Sequence, residues 1–242
     1  MRERALLSGA LISYFLVGYF GIGWLAVDPA YARSLATALD PEIPFVLGSA
    51  VIYWSILPMG LLPIFTVDDP ALFRRVALAY AATISASLAI FVVFPVTSSG
   101  LRADPTAFTS AGFAGWLLLL LYTVDPPLNL FPSLHLALAT LAALAAWRVN
   151  RGLGAFALFW TACIAVSVCT TKQHFAVDAV AGVGLAALAH VAIVARGGDA
   201  LAAGKPSSGA GLALFAALVA LFYGGLYVAY LVGVEPWTWA IG

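Results

Sequence analysis

Charge is what this sequence has least of. Of 242 residues only 9% are Asp, Glu, Lys or Arg, with 11 of each sign, so the formal net charge is zero. Soluble domains carry roughly a quarter charged residues, so 22 charges cannot cover a globular surface of this size, and the missing solvent is lipid. Zero net charge also excludes a whole-protein basic field of the kind that binds nucleic acid. Cysteine is nearly absent. Cys163 and Cys169 share one apolar run, which excludes a disulfide framework or a cysteine metal site; they read as small packing residues. There are three histidines and no H-x-x-x-H or H-E-x-x-H pattern, so a local metal motif is missing and neither metal nor cofactor is expected. A cleavable leader is not expected either. Arg2 and Arg4 precede an apolar run, 5–27, that is longer than a signal-peptide core, so it is expected to stay as a helix. Neither an internal repeat nor a second domain is visible, and residues 1–242 read as a single integral membrane domain.

What is there is hydrocarbon. Hydrophobic residues make up 63% of the chain and the mean hydropathy is +1.02. A bilayer core needs about 20 apolar residues in helix. Six segments meet that length: 5–27, 44–66, 76–96, 152–170, 174–195 and 211–233. A seventh, 133–149, is shorter. Turn-rich stretches lie between them, including 67–75, 97–111 and a Gly/Ser/Ala/Lys linker at 196–210. The expected fold is all-α: a polytopic transmembrane helix bundle with a six-helix core and one extra C-terminal helix near 211–233.

Segment 113–124 holds five consecutive leucines but gives only about 18 Å of helix, short of the core. Charge decides how to treat it. If it is re-entrant or interfacial, Arg2, Arg4, Arg74, Arg75, Arg148, Arg151, Arg196 and Lys205 share one side and only Arg33, Arg102 and Lys172 lie on the other. If it spans, the split becomes 5 to 6 and the asymmetry vanishes. The first topology obeys the positive-inside rule. It expects a short re-entrant or interfacial helix before the fourth span, a cytoplasmic N-terminus, and Trp237 and Trp239 in an outer aromatic belt. Arg33 reads as solvated, as do Asp68 and Asp69 in an inner turn. Arg102 and Lys172 stand out because they adjoin the only dense polar chemistry in the chain.

That chemistry has two parts. Asp125-Pro126-Pro127-Leu128-Asn129-Leu130-Phe131-Pro132-Ser133-Leu134-His135 holds the chain extended up to Pro132. Ser133 then suits an N-cap, with His135 in the first turn of the helix that follows. A helix N-terminus presents free N–H groups and a positive dipole end to an anion. The bland reading is an ordinary capped helix. The second part is Thr170-Thr171-Lys172-Gln173-His174-Phe175-Ala176-Val177-Asp178. His174 and Asp178 are four apart and are expected on one helix face, where Asp178 accepts the Nδ1 proton of His174. The bland reading is a structural His–Asp bond between helices, but ionisable groups inside a membrane are expensive and usually functional. Both parts fall at the outer ends of their helices. Two histidines, a carboxylate, two cations and an anion nest suit phosphoryl transfer: one histidine attacks phosphorus, the carboxylate orients it, the other histidine protonates the leaving oxygen, and Lys172, Arg102 and the helix start at Ser133 bind phosphate. His190, deep in the sixth span, reads as a packing residue.

These residues resemble the type-2 phosphatidic acid phosphatase superfamily of membrane lipid phosphatases and phosphotransferases. Its P-S-x-H motif is matched by Pro132, Ser133 and His135, and its S-R-x-x-x-x-x-H-x-x-x-D motif by Ser167, His174 and Asp178. The resemblance covers about 45–195. It implies a six-helix core with His174 as nucleophile, Asp178 orienting and His135 as general acid, and a lipid phosphate or phospholipid as substrate. Asn129, Asp125 and Ser167 are possible supporting residues. The chain departs from the family's K-x-x-x-x-x-x-R-P motif, since Pro95 stands at the lysine place and Ala103 follows Arg102; Val168 takes the third-motif arginine place. This degenerate pattern is similar to inositol-phosphorylceramide synthases and, more distantly, sphingomyelin synthases, so the acceptor is water or an alcohol. Competing readings are a transporter or flippase of lipid-like cargo, against which the nearly charge-free helices count, and an inactive scaffold that keeps a relic site. The lipid and the oligomeric state are left open.

Overall fold

The computed structural model describes residues 2–26, 28–108, 110–197 and 209–236. Lys205, Trp237 and Trp239, used in the charge and aromatic-belt arguments, lie outside them. The described residues form nine α-helices and no β-strand: α1 (Arg2–Gly21), α2 (Ser49–Trp54), α3 (Ile56–Thr66), α4 (Pro70–Val93), α5 (Gly112–Val124), α6 (Leu134–Val149), α7 (Arg151–Thr170), α8 (Ala176–Ala189) and α9 (Gly209–Leu231). Six helical stretches are long and apolar enough to cross a membrane: Arg2–Trp24, Ser49–Thr66, Pro70–Val93, Arg151–Thr170, Ala176–Val194 and Gly209–Leu231. The protein is a polytopic helical bundle.

The 16-residue α6 is the hub, with α3, α4, α7 and α8 packed around it. Its small side chains let its neighbours come close. Ala137, Ala139, Ala142, Ala143, Ala145 and Ala146 are all buried, and small residues let helices approach closely where lipid supplies no hydrophobic drive. Asn150 both ends α6 and starts α7: its N–H donates to Ala146 O at 2.8 Å, and its side chain accepts the Leu153 N–H at 2.9 Å. The peripheral helices behave oppositely. Only Ser8 and Tyr19 are buried on α1, and only Gly211 on α9.

Several expected boundaries are corrected. The third span begins at Pro70 and not at 76, because Asp69 accepts the Leu72 N–H at 2.7 Å and Pro70 needs no donor at the first helical position. Arg74 and Arg75 therefore ride on a helix, and Asp69 is a cap. Asp68 is an ion-pair partner of Arg4 at 3.0 Å, not a solvated residue. The second span starts at Ser49 and is interrupted at Ser55. His174 lies outside α8, in the α7–α8 turn, so His174 and Asp178 do not share a helix face.

The α5 helix does what a non-spanning segment must. Near its start, Trp116 Nε1 donates to Val234 O at 2.6 Å, just past α9. Beyond its other end, the Asp125 carboxylate accepts from Gln173 in the α7–α8 turn at 2.7 Å. Both flanks thus sit at one end of the bundle, together with the loops that follow α1 and α4, which are stitched by Arg33 N–H to Pro95 O and Thr97 N–H to Arg33 O, each 2.9 Å. The opposite end gathers Arg4, Arg74, Arg75, Arg148 and Arg151, where Arg74 holds Glu3 and Arg75 caps Ile193 O at 3.2 Å.

Candidate active site

The two motifs meet where α6 and α8 begin. Ser133 N–H donates to Asp178 O at 3.1 Å. Gly182, one turn further along α8, lies against Ser133; a Cβ there would come within 2.5 Å of Ser133 O. This contact is possible only because position 182 has no side chain, and it locks the P-S-x-H segment onto α8.

The ends of α7 and the following turn place His174. Gln173 N–H donates to Val168 O at 3.2 Å and Lys172 N–H to Cys169 O at 3.1 Å, the bond pair of a Schellman ending. Lys172 occupies its left-handed position, φ 59°. His174 N–H also reaches Val168 O, at 3.0 Å. The buried His174 ring then faces two groups. Its Nδ1 is 3.4 Å from Asp178 Oδ2, which also accepts the Phe175 N–H at 2.9 Å. Its Nε2 is 3.4 Å from Ser133 Oγ. Both contacts are long, and His174 Nδ1 and Asp178 Oδ1 make no hydrogen bond. Ser133 begins α6 without capping it, so the free N–H groups of that first turn lie at the same place as His174 Nε2.

His135 is the second residue of α6. Its ring makes edge contacts with Tyr19 and Phe15, at centroid distances of 4.9 and 5.7 Å. The structure brings His174 against Asp178 and Ser133, and His135 stands two residues beyond Ser133 at the start of α6.

Asp125 anchors a buried network that the sequence reading missed. Its carboxylate accepts from Tyr19 Oη, from Tyr53 Oη at 3.0 Å and from Gln173 Nε2 at 2.7 Å. Arg102 completes it: Nε donates to Gln173 Oε1 at 3.1 Å, and the two terminal nitrogens donate to Tyr122 O and Asp125 O at 2.8 Å each. The guanidinium also lies over the Tyr122 ring, 4.8 Å from its centre. Burial pulls the Arg102 pKa down, and the Asp125 carboxylate opposes that pull. Gln173 could have been flagged as the neighbour of His174; Tyr19 and Tyr53 carry no local signal, since they reach Asp125 from 106 and 72 residues away.

The remaining expected site residues are dispersed. Lys172 Nζ donates to Asp40 O and Ile43 O, at 2.9 and 2.5 Å. Asn129 Nδ2 donates to Tyr19 O at 2.6 Å, and Gly23 allows that approach, since a Cβ there would lie 2.7 Å from Nδ2. Ser167 bonds within its own helix, to Ile164 O at 2.8 Å. Val168, at the motif's arginine place, is fully buried and offers only its carbonyl.

A family model, that of the PAP2 superfamily, matches residues 26–192 and so contains the whole His174–Asp178–His135–Ser133 set. No curated protein and no solved structure matches the chain.

Proposed function

The chain belongs to the PAP2 superfamily, a membership that supports phosphoryl-transfer chemistry, and on that premise we propose that it acts on a lipid phosphate or phospholipid head group through a phosphohistidine. The observation that carries this reading is the two-sided environment of His174, with Asp178 at Nδ1 and the uncapped start of α6 at Nε2, each 3.4 Å away. Asp178 holds the Nδ1 proton, leaving the Nε2 lone pair to attack phosphorus. The N–P bond forms as the P–O bond to the leaving group breaks. His135 gives its proton to the departing oxygen. Water or an alcohol then surrenders a proton to His135 and attacks the phosphohistidine, and the N–P bond breaks. The Ser133 hydroxyl and the first N–H groups of α6 bind the equatorial oxygens. Arg102 and Lys172 have most of their donors spent on protein acceptors, so their part in phosphate binding is mainly positive field.

The test is a product assay on the purified protein with lipid phosphates and phospholipids, with and without alcohol acceptors. Free phosphate identifies water as acceptor, and a new phospholipid identifies an alcohol. Absence of either from the whole panel, in protein shown to be folded, contradicts the reading.

A further inference from the structure

The two histidines are held in different ways. His174 has Asp178 and Ser133 against its ring nitrogens, each at 3.4 Å. Among the described residues the His135 imidazole makes no hydrogen bond, and two aromatic rings hold it instead. Tyr19 meets it edge-on, 4.9 Å between ring centres, and Phe15 at 5.7 Å. Phe15 also stacks on Tyr19, 5.2 Å away and 19° from parallel, so the aromatic wall beside His135 goes where Tyr19 goes.

Tyr19 is itself fastened at both ends to the segment that leads into α6. Its hydroxyl donates to Asp125 Oδ1, and its backbone carbonyl accepts from Asn129 Nδ2 at 2.6 Å. Its ring is caged by Phe20 and Phe91, at 5.5 and 6.1 Å. A buried tyrosine needs one partner for its hydroxyl. This one is bonded through side chain and backbone to two residues of the stretch that ends in Pro132, Ser133 and His135. Tyr19 precedes residues 26–192, the stretch that the family model matches, whereas Asp125, Asn129 and Gln173 lie within it.

Asp125 carries the constraint to the other histidine. Its Oδ2 accepts from Gln173 Nε2 at 2.7 Å, and Gln173 Oε1 accepts from Arg102 Nε at 3.1 Å. A carboxylate on one side and a guanidinium on the other fix which way that amide points, and the next residue is His174. If the network only joined helices, well-packed apolar residues would serve at least as well as buried charge. A buried ionisable group among membrane helices is by default a functional one.

We propose that Tyr19 is a positioning residue for His135, set in place by the Asp125 carboxylate, and that the same carboxylate, through Gln173, fixes the spacing of the two histidines. What His135 does in the reaction rests on the phosphoryl-transfer reading; where its ring sits rests on these contacts alone. In-line displacement needs the acid on the leaving oxygen, opposite the attacking nitrogen. A misplacement of about 1 Å there costs up to about 10²-fold. Loss of the Tyr19 ring leaves the nucleophile in place and misplaces the acid. Loss of the Asp125 charge disturbs both.

Two measurements on the full-length protein in nanodiscs give the test. The chain has three histidines, so isotope labelling of histidine alone yields three sets of imidazole resonances. Asp125→Asn puts an N–H donor against Gln173 or Tyr53. It should shift or broaden the resonances of His135 and His174 and leave those of His190 in place. Single-turnover cleavage is then read with dodecyl phosphate, whose alkoxide needs a proton to leave, and with 4-nitrophenyl phosphate, which needs none. Tyr19→Leu should slow dodecyl phosphate at least about tenfold, a part of what a general acid is worth, and 4-nitrophenyl phosphate by no more than about twofold. Combining Asp125→Asn with Gln173→Glu reverses the polarity of the bridge: the new amide at 125 donates to the new carboxylate at 173, which pairs with Arg102. The double variant should recover most of the rate that either single one loses.

Equal losses on the two esters in Tyr19→Leu, or no loss on either, overturn the proposal, and so do His135 resonances that Asp125→Asn leaves unmoved. If Tyr19→Leu fails to fold, Tyr19→Phe replaces it; it keeps the ring, loses the bond to Asp125, and should show a smaller loss confined to dodecyl phosphate. Resonances that move as expected in protein that cleaves neither ester would sink the phosphoryl-transfer reading and leave the placement of His135 standing. Selective loss on dodecyl phosphate in His135→Ala, with none in Tyr19→Leu, would do the reverse.

Discussion

Lys172 Nζ lies 2.9 Å from the carbonyl oxygen of Asp40, 132 residues away, and pins the first loop over the turn that carries His174. The same residue holds a left-handed backbone, φ 59°, at the end of α7. A side chain there costs about 1–2 kcal/mol that glycine does not incur. Lys172→Ala and Lys172→Gly both lose the bonds to Asp40 and Ile43, worth about 1–3 kcal/mol in total for charged donors. The glycine variant should nevertheless be the more stable of the two by about 1 kcal/mol. Thermal unfolding in detergent measures the difference, and equal midpoints would refute the left-handed assignment.

Asp40 closes the same roof from its carboxylate side. Burial raises its carboxyl pKa, but the Ala176 N–H, the Thr37 N–H and hydroxyl, and nearby Lys172 outweigh burial and hold it below the ordinary value of 3.8. A carboxyl depressed in the folded state adds stability that is complete above the unfolded value and lost as pH falls through the folded one. The acid limb of the unfolding midpoint should therefore steepen below pH 3.8 and flatten in Asp40→Asn. An acid limb identical in the two proteins would show that the roof does not depend on this charge.

Much of this was legible in the sequence because the bilayer imposes it. Apolar runs of spanning length located the helices, and the split of basic residues separated the ends of the bundle. The failures have physical causes. The start of α4 was missed because hydropathy favours Val76, whereas Asp69 and Pro70 cap and begin the helix. His174 was expected on α8 because i, i+4 spacing looks helical; the turn at Lys172 places it before the helix, yet still 3.4 Å from Asp178. The partners of Asp125 were unreadable, since Tyr19 and Tyr53 reach it only through tertiary packing.

Charge gives an expected sidedness. The basic end carries Arg4, Arg74 and Arg75, and we propose on the positive-inside rule that it faces the cytoplasm. In a background with Cys163→Ala and Cys169→Ala, an impermeant thiol reagent added outside intact cells should label Ser99→Cys and miss Asn150→Cys, both exposed positions at opposite ends. The opposite pattern would turn the site inward.

The two histidines should separate kinetically. Asp178→Asn keeps an acceptor for the Phe175 N–H but loses the charge behind His174. Its turnover should fall by about 10³–10⁴-fold with the fold intact, as with the orienting carboxylate of hydrolase triads. His135→Ala should slow esters with poor leaving groups far more than an activated aryl phosphate, because only the former need a proton on the departing oxygen. Equal losses for both ester classes would remove His135 from the general-acid role.

The central claim is that phosphorus becomes bonded to His174. It is tested most directly by mixing enzyme with substrate labelled in its phosphate, quenching within a turnover under alkaline conditions that preserve phosphohistidine, and mapping the label by mass spectrometry. The account predicts acid-labile phosphate on His174 Nε2, trapped more strongly when the acceptor is withheld and absent from His174→Ala. Label on any other residue, or turnover retained by His174→Ala, would contradict it.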